Sequence, residues 1–286
     1  MGIWVNQVVQ GILLGGLYAM FAMGLSLSVG VMRFVNIAHG DLIVLVSFLL
    51  LSLTTALGLG PIEAAALTLP VAFAGGWLLQ RFLLQRVLGK GVLQIILVTF
   101  GLSIIVQNAL QGVYGADTRK VWGGGIEAAT ITLTENIGIG VLPLVIFLSA
   151  IALALALDQM LYRTRIGARI RAVSDDVSAA DLVGLPSARI YAVAMGIVGV
   201  TVAISAGFMA VWTNFDPTSG PSRLLIAFEA VVLGGLGSIW GTLAGGIVLG
   251  VAQTIGGQFD AAWQVLAGHI VFLVIFLIRP QGLFPK

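Results

Sequence analysis

The chain contains no cysteine, so it makes no disulfide and offers no thiolate to a metal. Charge is almost as scarce: 14 Lys+Arg and 12 Asp+Glu leave 9% of the 286 residues charged, against roughly a quarter in a soluble domain. That shortage excludes a soluble globular protein. The short alternating apolar-polar segments of a transmembrane barrel are missing too. Met1 to Gln10 carries no basic residue and no cleavage pattern precedes the first apolar run, so a removable signal peptide is not expected.

What the sequence does have is apolar length. Hydrophobic residues make up 59% of it, mean hydropathy is +1.08, and runs such as Leu142 to Leu157 are unbroken. A bilayer-spanning helix takes about 20 such residues. The expectation is an all-α polytopic membrane protein: one transmembrane domain over 1–286, with about eight or nine helices in the lipid bilayer. Apolar stretches between polar breaks place spans at 8–30, 42–58, 62–80, 92–113, 138–157, 189–212 and 263–279. The stretch 224–256 is too long for one straight crossing and is interrupted by Gly234, Gly235 and Gly237, so a helical hairpin broken at the glycines is expected there.

Basic residues in short loops stay on the cytoplasmic side. Arg33, the group Arg81, Arg86 and Lys90, the group Arg163, Arg165, Arg169, Arg171 and Arg189, and Arg279 with Lys286 go inside. Segments 114–137 and 213–223, which hold Arg119, Lys120 and Arg223 with Asp117, Glu127, Glu135 and Asp216, go outside. Consistency then requires an outside N-terminus, nine crossings and a cytoplasmic C-terminus.

The longest basic loop, about 158–189, reads as carrying one short helix. Ser174 caps its start, Asp175 and Asp176 put negative charge on its positive end, Gly184 suits its C-terminal cap and Pro186 stops it. Ala179, Ala180 and Val183 then share a small apolar face. Such a face seats in a groove of another protein or lies on the membrane surface.

Four motifs connect the chain to a known family. Arg171-Ala172-Val173-Ser174-Asp175-Asp176, followed by Ala179-Ala180 and Val183-Gly184-Leu185, resembles the cytoplasmic docking loop of importer permeases: two small residues after an acid, and a glycine four positions later. It is joined by Asn36-Ile37-Ala38-His39-Gly40 with Asp41, and by Ala230 through Leu233-Gly234-Gly235-Leu236-Gly237-Ser238 with Gly241 and Gly245. The last is Arg279-Pro280-Gln281-Gly282-Leu283-Phe284. In this order they resemble the branched-chain amino-acid permease family of ATP-driven (ABC) importers, and the shorter of its two permease types. The resemblance implies a multi-pass cell (inner) membrane subunit with a second permease subunit, two cytoplasmic ATPase subunits and an extracytoplasmic substrate-binding protein. It implies a branched-chain or neutral amino acid, or another small polar solute such as urea, as substrate. No nucleic-acid partner is expected.

The residues themselves carry no phosphate loop: Gly89-Lys90-Gly91 lacks the spacing and the hydroxyl. No cofactor is therefore expected in this chain; ATP would be bound by partner subunits, and the work would arrive through the loop contact at Arg171, Ser174, Asp175, Asp176, Ala179, Ala180, Val183 and Gly184. No catalytic or metal site is expected either, since neither H-E-x-x-H nor a nucleophile turn occurs.

Polar groups at membrane depth mark either broken backbone or a pathway. Asn36, His39 and Asp41 form a short polar break read at the inside membrane edge, where His39 and Asp41 cap the second span and Asn36 and His39 satisfy backbone freed at the break, or the three line or gate the conduit. Glu229 stands in an apolar helix, where a charge costs at least ~2.5 kcal/mol, and needs a partner or water. Gly237, Gly241 and Gly245, Gly246 and Gly250, and Gly11 and Gly15 recur every four residues as a packing stripe, with Gly234, Gly235, Gly237 and Ser238 as a hinge or lining break. The rival reading is an ion-coupled secondary transporter or channel, which broken helices and buried acids would also suit.

Overall fold

A computed structural model describes residues 2–134 and 137–284; Glu135 and Lys286 of the charge argument lie outside the described residues. The chain is helical almost throughout. In order it forms α1 (Gly2–Met32), α2 (His39–Leu57), α3 (Pro61–Leu78), α4 (Val92–Tyr114), the antiparallel pair β1 (Thr130–Thr134) and β2 (Ile137–Gly140), and α5 (Val141–Arg163). Then follow α6 (Arg165–Asp175), α7 (Val177–Leu182), α8 (Ser187–Trp212), α9 (Gly220–Gly234), α10 (Ile239–Phe259) and α11 (Trp263–Ile278). A π turn and a 3-10 turn prolong α3 to Arg86. Seven of these helices, α3 with its extension among them, are long and apolar enough to cross a membrane; α9 and α11 are shorter. The protein is an all-α polytopic membrane protein, and the broken hairpin in 224–256 is present as α9 and α10.

The bundle is built around α1, which is buried from Gly15 to Ser28 and packs on α10, α8, α5 and α9. In lipid there is no hydrophobic drive between helices, so close backbone approach does the work. The glycine repeats supply it. A Cβ on Gly15 would collide with Ile247 and the Gly246 carbonyl, and one on Gly250 with the Gly11 carbonyl and Gly15. Gly241 and Gly245 meet Gly234 and Ala230 in the same way, seating α10 on α9. Residue numbers rise along α1 as they fall along α10, so the two are antiparallel.

One end of the bundle gathers the C-terminus of α1, the α5–α6 junction, the α9–α10 turn and the final segment. There Gly30 abuts Gly237, and the Leu283 N–H donates to the Leu233 carbonyl at 2.8 Å. The other end holds the N-terminus of α1 and the β-hairpin, with Gln10 Nε2 donating to the Gly138 carbonyl, and the Arg119–Phe215 backbone bridge. The hairpin over 130–140 replaces the first residues of the span expected from 138: Gly138 and Gly140 pair across to β1 before α5 starts.

Two non-helical segments turn back into the bundle. After α1 ends, residues 33–38 run alongside it, and α2 starts where the His39 ring nitrogen Nε2 meets the Phe21 carbonyl at 2.9 Å. Phe21 is eleven residues before the end of α1, roughly 16 Å in at 1.5 Å per residue. From the opposite end, 213–219 descends from α8 so that α9 begins against Gly40. The polar break, expected at the inside membrane edge, therefore lies at mid-bundle depth.

Candidate functional site

The N-termini of α2 and α9 meet in the middle of the bundle. A Cβ on Gly40 would overlap the Gly220 carbonyl and stand 2.7 Å from the Leu224 nitrogen, so glycine is required for the approach. Asp41 lies in the first turn of α2 with its carboxylate against Gly220, at the positive ends of both helices. Its Oδ1 accepts from Gln107 Nε2 of α4 at 2.9 Å, and Gln107 also donates to the Ser103 hydroxyl at 3.1 Å. Asp41 is 1% exposed, and its Oδ2 has no protein partner among the described residues. His39 Nδ1 and Asn36 Nδ2 are buried in the same condition.

The N-cap of α2 is Ala38, with no side-chain cap, so neither His39 nor Asp41 caps it, while Asn36 and His39 bond backbone at the break as expected. Asn36 Oδ1 accepts the Ala38 N–H at 3.1 Å, while His39 reaches across to α1 and Asp41 to α4. The side chains of His39 and Asp41 are thereby spent on other helices, not on their own.

Below this point a chamber of about 870 Å³ opens between α4, α9, α11 and the 33–38 segment. Val35, Ile37, Ile95, Ile96, Phe228 and Val232 are among its walls, with Arg33 and Gln281 at its rim. On α4 the residues Thr99, Ser103, Gln107 and Gln111 follow at i, i+4 spacing above Ile95 as one polar stripe, with Gln94 and Asn108 the other amide side chains of the helix. α4 packs chiefly on α2, which leaves the cleft between α4 and α9 open to the side.

The loop near 158–189 contains two helices rather than one. α6 is capped by Thr164, whose Oγ1 accepts the Gly167 N–H at 3.1 Å. α7 is capped by Asp176, whose Oδ1 accepts the Ala179 N–H at 2.9 Å. Ser174 caps neither. Its position falls inside α6, where its hydroxyl donates to the Gly30 carbonyl at 2.9 Å and its own carbonyl accepts from Arg33 Nη2 at 3.0 Å. Asp175 ends α6, and Arg171 stacks its guanidinium 4.9 Å from the Tyr162 ring centroid. Gly184, at φ +84, closes α7 with paired bonds from its own N–H to Asp181 and from Leu185 N–H to Ala180.

The expected apolar face of α7 also splits. Ala180 is 4% exposed and turned into this chain's own bundle, whereas Ala179 and Val183 face outward and Leu182 is 88% exposed. Val183, the C-cap residue, still donates its N–H to the Ala179 carbonyl at 3.2 Å, so these two share the outer side and Ala180 alone turns inward.

Glu229 is paired within the fold: its Oε1 is hydrogen-bonded to His269 Nδ1 of α11, and its Oε2 is buried without a partner among the described residues. Gly234, Gly235, Gly237 and Ser238 form the α9–α10 turn at the end of the bundle. Gly235 and Gly237 take φ +99 and +78, and Ser238 caps α10 through the Gly241 N–H at 3.1 Å. The turn is packed between Gly30 and Phe284, with Leu236 at the chamber wall.

Sequence reading missed the α4 stripe and the Tyr18–Gln253 bond, 2.6 Å between α1 and α10. The signal was there in both cases: side chains able to form hydrogen bonds inside apolar helices, at helical spacing on α4. Among the described residues no group of three His, Asp or Glu is placed to hold a metal.

Comparison with known proteins gives the context for this geometry. The family model described as "Branched-chain amino acid transport system / permease component" matches residues 7–278. The chain is 26% identical to the high-affinity branched-chain amino acid transport system permease protein BraD of Pseudomonas aeruginosa, covering 99% of this chain and 96% of that protein. It is 25% identical to LivH of Escherichia coli, with the same description and coverage of 99% and 96%. To the probable LivH of Methanocaldococcus jannaschii it is 24% identical, covering 97% and 92%. No solved structure matches.

Proposed function

The chain belongs to the branched-chain amino acid transport permease family, and from that premise we propose that it is one of two permease subunits of an ATP-driven importer for branched-chain or closely similar neutral amino acids. Two cytoplasmic ATPases bind and hydrolyse the ATP, and an extracytoplasmic binding protein delivers the substrate. The basic end, with Arg33, Arg171 and Arg279, faces the cytoplasm, which leaves the N-terminus outside.

One observation supports this reading most: the loop helices are bonded directly to the start of the inward break. Ser174 of α6 holds Gly30 and Arg33, and from Arg33 the chain runs back to Asn36, His39 and Asp41. A push on α7 is thus carried through a rigid helix to the segment that walls the chamber. Leu182 and Val183, at the end of α7, are its most exposed large apolar side chains, and they are assigned to the ATPase contact in place of Ala180.

Uptake in proteoliposomes tests the reading. This chain, a second permease and the ATPases together take up leucine only with internal ATP and loaded binding protein. Uptake by the chain alone along an ion gradient would replace this reading with a secondary transporter.

A further inference from the structure

We propose that the cleft between α4 and α9 is the amino-acid conduit of this chain, with the Asp41 carboxylate and Gln107 carboxamide receiving the substrate's ammonium and the apolar chamber beneath receiving its branched side chain. This rests on the importer reading for the identity of the substrate, and on the geometry of the cleft for the site.

Three observations meet here. The first is the Asp41 carboxylate, which keeps Oδ2 free while Oδ1 is held by Gln107. A buried acid with an open acceptor is complementary to an ammonium, whose three donors need oxygen partners once water is left behind. The N-termini of α2 and α9 turn their positive ends toward that acid, and they also favour the carboxylate of a zwitterion beside it.

The second is the chamber. Phe228 lies one helical turn, about 6 Å of rise, beyond Leu224, which touches Gly40, so the apolar walls begin one turn from the α2–α9 contact. A leucine held by its ammonium at Asp41 extends its branched end toward those walls. Walls of Val, Ile and Phe reward an apolar side chain and give a longer polar one nothing to bond.

The third is the continuation outward. Gln111, one turn beyond Gln107, is exposed, as is Ser222 in the first turn of α9. Uncharged polar side chains facing hydrocarbon are costly, so this face is covered by water or protein. The row from Gln111 through Gln107 and Ser103 to Thr99 then runs past Asp41 toward Ile95 in the chamber wall, exposed at Gln111 and closed over at Ser103 and Thr99.

The absence of cysteine makes the test clean. Gln111→Cys is introduced as the one thiol of this chain in the assembled complex, with labelling read on this chain, and Ile105→Cys, on the opposite side of α4 and 67% exposed, is the lipid-facing comparison. A charged, membrane-impermeant alkylating reagent is expected to modify Gln111→Cys and leave Ile105→Cys alone. Leucine at ten times its Kd slows that modification about tenfold, whereas 2-hydroxy-4-methylpentanoate, which has a hydroxyl in place of the ammonium, does not. With Asp41→Asn added, leucine protection is lost; Gln107→Leu weakens it without touching the acid, which covers the case in which Asp41→Asn does not fold. Equal protection by the hydroxy acid, protection that survives both variants, or modification of Ile105→Cys alone would each overturn the proposal. The labelling needs neither ATP nor binding protein, so a complex that fails to couple ATP to uptake would sink the importer reading and leave the cleft result standing.

Discussion

Arg33 donates from its guanidinium to the Ser174 carbonyl at 3.0 Å, and does so from a left-handed backbone, φ +56. For a residue with a Cβ that conformation costs about 1–2 kcal/mol, so the turn that starts the inward break is held by its contacts. Arg33→Gly removes the bond and the backbone cost together; Arg33→Ala removes the bond alone. Thermal melts of the purified chain are expected to rank Arg33→Gly above Arg33→Ala, and both variants to hydrolyse more ATP per leucine moved. The opposite melting order would show that the turn is not strained.

Glu229 and His269 form a pair inside the α9–α11 packing, turned away from the cleft. Interhelical bonds in membranes are worth about 0.6 kcal/mol on average and up to about 1.7, and losing one partner strands the other. A double-mutant cycle of Glu229→Ala and His269→Ala is expected to show coupling in that range. Glu229→Gln still has an acceptor and a donor for the ring, so leucine uptake per complex stays near the unaltered level. A loss of uptake at normal expression would instead put Glu229 on the pathway.

Glycine positions divide into two classes. A Cβ at Gly15 or Gly250 has backbone of the facing helix in its place, while at Gly101 and Gly112 of α4 it meets nothing within 4 Å. Gly15→Leu and Gly250→Val are expected to abolish the folded monomer in detergent. Gly101→Ala and Gly112→Ala are expected to be tolerated, with helix propensity moving in their favour by up to about 1 kcal/mol. Size-exclusion profiles of the four variants check both halves.

The same contrast shows what was legible in the sequence. The spans could be read because lipid demands about 20 apolar residues in a row, and the Gly11/Gly15 and Gly246/Gly250 stripes because close packing demands small residues at helical spacing. The depth of the Asn36–Asp41 break could not. A polar interruption looks the same whether the chain leaves the membrane there or turns back along α1, and only contact with Phe21 tells them apart. Ser174 was misplaced for a related reason: Ser and Asp both cap helices, and Ser174, Asp175 and Asp176 in a row leave the choice to tertiary partners. Gly30 and Arg33 take Ser174, and Asp176 is left to cap α7.

The loop's two faces give a prediction that one face could not. Ala180 is enclosed by this chain, so Ala180→Glu buries a charge and is expected to lower folded yield before any effect on coupling. Leu182→Glu with Val183→Glu leaves the fold intact, because both side chains point outward.

The central claim is that ATP-driven work enters through α7. Its direct measurement is ATP hydrolysis by the reconstituted complex of this chain, a second permease and the ATPases, with and without leucine-loaded binding protein. Hydrolysis is predicted to rise with the loaded binding protein, and the rise to vanish in Leu182→Glu/Val183→Glu at unchanged folded yield. A stimulated rate in that variant equal to the unaltered complex would contradict the account.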